Sequence, residues 1–229
     1  MPITAIPVHC SAAWLRLARH EQQLLRTPDI PIAPTLWITA DAQWRSQHVA
    51  SPLLTVLHTH ADELQGDVIC SCSALPFERD SVQTIVVQHA ADLMRDLRPL
   101  LGELCRILEP GGQLFWFGLN PLSGWAAWSR WRTTSTQQTL YTRGLRQIDQ
   151  LLARHGVEAT DSRYLGGLWP QSSAVNEARR ITLIDGLRGA WLLSARKRRA
   201  VLTPLRATSS VRKIRAHGLA AMPSSRSHP

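Results

Sequence analysis

The sequence predicts an open α/β fold, a largely parallel sheet with helices packed on both faces. Three observations carry that reading. Short apolar or β-branched runs stand at Thr35–Thr39, Pro52–His58, Asp67–Cys72 and Ser81–Val87, each bounded by turn-forming or polar residues. A leucine-rich segment, Asp92–Leu108, repeats at steps of three and four through Leu93, Leu97, Leu100, Leu101, Leu104 and Leu108, which is helical spacing. The run Gln113–Leu119, QLFWFGL, is apolar almost throughout, as expected of a strand covered on both faces. Strands that alternate with helices argue for parallel pairing through crossovers.

The elements follow in order. Ser11–Arg26 places Trp14, Leu17, Ala18, Leu24 and Leu25 near one helical face, with Ser11 as N-cap. Thr27–Pro34 holds three prolines and reads as an extended connector. Pro99 lies inside the leucine-rich helix, where it either kinks the helix or marks its true start. Glu109-Pro110-Gly111-Gly112 stops that helix, because proline cannot extend the ladder and glycine accepts positive φ. Such a turn returns the chain compactly into the sheet. Thr142–His155 is a further helix closed by Gly156. Val157–Tyr164 and Gly189–Ala195 are the last two strands, with a helix expected from Asn176 between them.

The chain has 229 residues and a net charge of +9. All 17 acidic residues lie before position 186, and nine of the 26 basic residues fall in 196–229. The segment before 196 is therefore neutral, and the excess charge belongs to the C-terminal stretch. That stretch is rich in Ser, Pro and Ala, carries no acid and no aromatic residue, and is expected to be disordered. Any nucleic-acid contact through it would be weak, non-specific and salt-sensitive, since nothing in it stacks on bases. A membrane span is not expected, because no apolar run approaches ~18 residues. The opening MPITAIPVHCSAAW is broken by Pro2, Pro7 and His9 and does not read as a leader, so the cytoplasm is the expected compartment. Four cysteines, Cys10, Cys70, Cys72 and Cys105, make no pair of CxxC knuckles, and no metal centre is expected from them. His58 and His60 share a strand face but lack a third ligand nearby.

Two stretches carry a resemblance. ALPFERDSVQTIVVQHAADLMRD, from Ala74, and LCRILEPGGQLFWFGLNPLSGW, from Leu104, resemble the type 11 family of class I S-adenosylmethionine-dependent methyltransferases. The matching positions are Leu75-Pro76-Phe77, Asp80, Ser81-Val82, His89, Arg106-Ile107-Leu108 and Pro110-Gly111-Gly112. The resemblance implies a Rossmann-like methyltransferase domain over about 10–196, with a seven-stranded, mostly parallel sheet flanked by helices, and a basic tail over 197–229. It implies S-adenosylmethionine as cofactor, bound where connections leave adjacent strands in opposite directions.

By element order, the resemblance carries cofactor contacts onto Thr39, Ala40 and Asp41 in the first loop. It carries them onto Asp62 after the second strand, onto Ser71, Cys72 and Leu75 before the fourth, and onto Gln88 and His89 at its end. Asn120 is the candidate for orienting substrate. Three positions depart from the family pattern. The first loop, Ala40-Asp41-Ala42-Gln43-Trp44, has no glycine. No acid follows the second strand before Asp62. Ser71 stands where the family carries Asp. Each lost charged contact removes about 1.5–3 kcal/mol unless replaced. The expected activity is methyl transfer to an unknown acceptor; the alternative is a non-catalytic scaffold of the same fold that binds a protein or nucleic acid. His89 reads as a base, or as a strand-end residue contributing backbone. Asn120-Pro121 reads as substrate-orienting or as a turn-forming corner. Trp125, Trp128 and Trp131 read as an aromatic lid or as a helix ridge in the core.

Overall fold

The computed structural model describes residues 8–25, 33–47, 53–60, 63–133, 139–170 and 185–198. Eight strands form one sheet: β1 (Thr35–Thr39), β2 (Leu54–His60), β3 (Glu63–Gly66), β4 (Cys70–Ser71), β5 (Val82–Gln88), β6 (Leu108–Leu119), β7 (Val157–Leu165) and β8 (Ala190–Lys197). Their order is β4-β3-β2-β1-β5-β6-β8-β7. The centre, β2-β1-β5-β6, is parallel. Both flanks are antiparallel. The architecture is a Rossmann-like mixed α/β fold with eight strands where the sequence predicts seven.

Alternation along the central strands separates two cores. Leu36, Ile38, Ile85, Val87, Leu114 and Trp116 point to one face, under α2 (Arg98–Ile107) and α4 (Leu145–Ala153). Trp37, Val56, Val86 and Phe117 point to the other, under α1 (Ala12–Leu24) and α3 (Gly124–Thr133). The period of two along each strand produces this division, and the continuous apolar character of β5 and β6 follows from cover on both sides.

The sequence and the structure differ at the third predicted strand. In place of one strand over Asp67–Cys72, the chain forms a hairpin. β3 runs antiparallel to β2 in the register His60↔Glu63 to Leu57↔Gly66, and β4 is only two residues long. Only two residues separate β2 from β3, too few for the crossover that parallel pairing needs. The turn after Gly66 is held by Asp67, whose carboxylate accepts the Val56 N–H at 2.7 Å. Ile69, apolar in sequence, is 72% exposed there.

The leucine-rich segment also divides. A 3-10 turn covers Ala90–Leu93, and α2 begins at Arg98 with Pro99 in its first turn, where a missing N–H costs nothing. Asp96 Oδ1 accepts the Arg98 N–H at 3.1 Å. At the other end, Lys197 Nζ donates to the carbonyls of Cys105 and Leu108 and to Asp80 Oδ1, all within 2.7 Å. A cation thus sits at the negative end of α2. The sequence expects a turn over Glu109–Gly112, but α2 passes directly into β6: these residues lie within the strand, at the register shift between Leu108 and Gln113, where Gly111 takes φ +87°. Gly156, φ +74°, closes α4 in the left-handed conformation.

The tryptophans of α3 are neither a lid nor a full core ridge. Trp125 is buried, whereas Trp131 is 72% exposed. Three-residue steps turn a ridge back by about 60° each, so the third ring lies about 120° from the first. Among the described residues, no helix is long and apolar enough to cross a membrane. The connector over 27–32, the helix from Asn176 and the tail from 199 lie outside the described residues.

β6 carries one tight contact between strands and side chains. A Cβ at Gly118 would overlap the indole of Trp191, its partner in β8. Gly118→Ala is expected to lower stability by about 1–3 kcal/mol through overpacking. Urea unfolding checks this as a lower midpoint with an unchanged slope.

Candidate functional site

β1 and β5 are neighbours in the sheet. The connection from β1 leads outward to β2, and that from β5 leads the other way, through α2 to β6. A crevice of about 1050 Å³ opens above their C-terminal ends, where such divergence leaves space. His9, Asp41 and Ala42 form one wall, and His58, Thr59 and His60 at the end of β2 form the next. Ser71, Cys72 and Ser73 close the far side. Leu93 to Asp96, with Tyr141, stand opposite.

Of the residues the sequence nominates, Asp41, Ser71 and Cys72 line this crevice. The others are placed elsewhere. Thr39 is fully buried, its hydroxyl donating to the carbonyls of Asp41 and Leu57. Ala40 is buried, and Leu75 belongs to the core beneath α2. Asn120 is buried with its amide donating to the Gly186 and Arg188 carbonyls, at 2.8 and 2.9 Å. It holds the corner after β6, the turn-forming member of the two readings its sequence context allows. Asp62 lies outside the described residues.

Gln88 and His89 belong to a sealed polar network below the crevice. His89 takes φ +54°. Its Nδ1 is 2.8 Å from Asp92 Oδ2 and its Nε2 is 2.9 Å from Glu21 Oε1. The Gln88 amide donates to Glu21 Oε2 and to the Ala18 carbonyl, and its Oε1 accepts from Gln22 and from the Trp37 indole. Asp92 Oδ2 also accepts the Leu119 N–H. Trp14 meets the His89 ring edge-on at 4.8 Å, and Trp44 stacks on Trp14 at 6.0 Å. This packing fills the space under β1 and β5 and leaves the crevice above them open.

The His89 side chain carries a proton on each nitrogen when charged, one for each carboxylate. Burial alone depresses its pKa. The charge of Glu21 and the bonds to Asp92 and Glu21 outweigh that and raise it to about 10. Asp92 is pushed upward by burial, against the pull of His89. Glu21 gave a sequence-level signal, an acid on the buried stripe of α1 beside Leu17 and Ala18, but nothing in the sequence named its partner.

A second cluster lies at the mouth. Asp41 Oδ2 is 3.0 Å from His9 Nε2 and accepts the Cys10 thiol at 3.2 Å, while Oδ1 accepts the Gln43 N–H at 2.8 Å. Burial acts to raise the Asp41 pKa, but these hydrogen bonds prevail and hold it near about 2. Burial, then the hydrogen bond to Asp41 and its charge, push the Cys10 thiol up to about 12. Nothing local in the sequence brings residues 9 and 10 to the first loop.

Comparison with known proteins bears on the fold. Residues 45–116 match the family model described as a methyltransferase domain, type 11. Solved structures share the fold of this chain at low identity. An S-adenosylmethionine-dependent methyltransferase of Thermotoga maritima superposes with TM-score 0.56 at 12% identity, covering 80% of this chain and 91% of that one. Another, from Mesorhizobium loti, gives 0.50 at 11%, covering 83% and 100%. No curated protein matches the sequence significantly.

The raised pKa of His89 sets a pH dependence. The folded state keeps a proton that the unfolded chain releases above the ordinary value of 6.5. The stabilisation is complete below that pH and is lost as pH rises toward about 10. His89→Gln is expected to lower stability by about 3–5 kcal/mol at pH 6, since it breaks a buried ion pair. Thermal unfolding across pH should show the gap between the native chain and His89→Gln narrowing from pH 6.5 to 10.

Proposed function

We propose that this chain transfers a methyl group from S-adenosylmethionine to an acceptor bound at the mouth of the crevice. The observation that carries this reading is the open crevice at the C-terminal ends of β1 and β5 in a methyltransferase-family domain. The lining suits the cofactor's parts. Ser71, Cys72 and Ser73 would border the adenine, with Leu93 and Met94 as the apolar wall opposite. Thr59 and His60 would stand by the ribose. His9 and Asp41 would stand at the methionine end, where the family uses glycines. Bound S-adenosylmethionine supplies an electrophilic methyl on a sulfonium sulfur. The protein's own task is to hold donor and nucleophile in line and to keep water out. No buried base is required of it for that, and the sealed His89 network has no exposed atom with which to serve as one.

S-adenosylhomocysteine at about 100 times its dissociation constant adds about 2.7 kcal/mol to the stability of a protein that binds it. For a domain of this size the midpoint of thermal unfolding should rise by about 5–10 °C. Ala42→Trp, at an exposed position on the crevice wall, should leave the ligand-free midpoint nearly unchanged and abolish the rise. No rise at millimolar ligand in the native chain would sink the reading and favour a scaffold without cofactor.

A further inference from the structure

We propose that His9, Cys10 and Asp41 form a binding site for a zinc-type divalent transition-metal ion, with one coordination position open to the crevice. One imidazole nitrogen, one sulfur and one carboxylate oxygen all lie within 4.8 Å of one another. Asp41 Oδ2 stands 3.0 Å from His9 Nε2 and 3.2 Å from Cys10 Sγ. A tetrahedral ion with bonds of about 2.0–2.3 Å spaces its ligand atoms roughly 3.3–3.6 Å apart. The two pairs that include Asp41 Oδ2 therefore need to part by only a few tenths of an ångström to admit it, and the third pair lies within 4.8 Å.

The scaffold around them suits that role. His9 and Cys10 are consecutive in a 3-10 turn just before α1, and Asp41 follows β1. The ligands thus come from two separate elements already packed together. The Gln43 N–H on Oδ1 fixes the carboxylate and leaves Oδ2 facing the other two atoms, as a contact outside the ligand shell does in metal sites. His9 Nδ1 has no hydrogen-bond partner among the described residues. In the metal-free chain Nε2 donates its proton to Asp41; with Nδ1 unpartnered, the ring proton can sit on Nδ1 when an ion takes the Nε2 lone pair. His9 and Asp41 line the crevice, so three protein ligands leave a fourth position on the open side for water or for a carboxylate or amine of a bound molecule. A thiolate with an imidazole selects zinc-like ions over magnesium or calcium. On binding, Cys10 gives its thiol proton to solvent, and the sulfur–metal bond forms in its place.

The test uses the full chain, freed of metal by a chelator and titrated with Co²⁺ and then Zn²⁺. One equivalent of Co²⁺ should give thiolate-to-metal charge-transfer absorption and visible bands of tetrahedral intensity, all erased by one equivalent of Zn²⁺. Cys10→Ser should lose the charge-transfer band, and Asp41→Asn should weaken Zn²⁺ binding by at least about 100-fold, beyond the loss typical of an outer contact. The double variant Cys70→Ser, Cys72→Ser should keep both properties. Alkylation followed by mass spectrometry needs no variant: Zn²⁺ should protect Cys10 selectively. Absence of stoichiometric binding, a band that survives Cys10→Ser, or protection of Cys72 in place of Cys10 overturns the proposal. None of these readouts involves methyl transfer, so their failure leaves the reading of the crevice as a cofactor site standing.

Discussion

The His89 imidazolium, clamped between two buried carboxylates, fixes the middle of this fold. Glu21 comes from α1, His89 from the end of β5, and Asp92 from the turn that follows. Asp92 in turn holds the backbone at the end of β6. One fully buried residue therefore joins the N-terminal helix to the ends of β5 and β6. Taking three charges out of water costs several kcal/mol per ion. Only a complete set of partners offsets that, and here every oxygen and ring nitrogen of the three side chains that faces the network has one, through Gln88 and Leu119 as well. The left-handed backbone at His89 adds strain of about 1–3 kcal/mol, and the network holds that conformation in place.

The aromatic packing follows from the same clamp. Trp14 lies against His89 because α1 is drawn over β5 by Glu21, and Trp44 stacks on Trp14. These rings occupy the layer beneath the first loop. The loop then has a filled floor, which lets a turn without glycine, Ala40-Asp41-Ala42, ride over it. In the structure the Asp41 carboxylate, with its three contacts to His9, Cys10 and Gln43, organises this loop where backbone flexibility would otherwise do so.

Much of the sheet was legible in the sequence. β1, β2, β5, β6, β7 and β8 are read within a few residues, most of them because their apolar or β-branched runs stand out between polar or turn-forming residues. The glycines at 111 and 156 are read because positive φ leaves a compositional mark, although Pro110–Gly112 forms an irregularity within β6 in place of a separate turn. The β2–β3 hairpin was not legible. Glu63–Gly66 is short and mixed in polarity, and the apolar Val68 and Ile69 that suggested a strand are exposed. The site was legible in outline only. Element order found Asp41, Ser71 and Cys72, since position along a strand determines which end a residue reaches. It nominated Thr39, Gln88 and His89 on the same ground, but whether a strand-end side chain turns up toward a crevice or down into a core depends on partners from α1. Those partners, Glu21 above all, are separated by more than sixty residues from His89, and no local pattern encodes such a pairing.

The hairpin leaves one wall of the crevice with little to lean on. Ser71, Cys72 and Ser73 follow a strand of two residues at the outermost position of the sheet, tied on one side alone. Segments with so few ladder bonds open at far lower free energy than the core they border. A guest that settles against them must therefore order its own host first, and part of its grip goes into quieting that margin. Discrimination between guests would then rest less on a fixed outline than on which of them best rewards the stiffening.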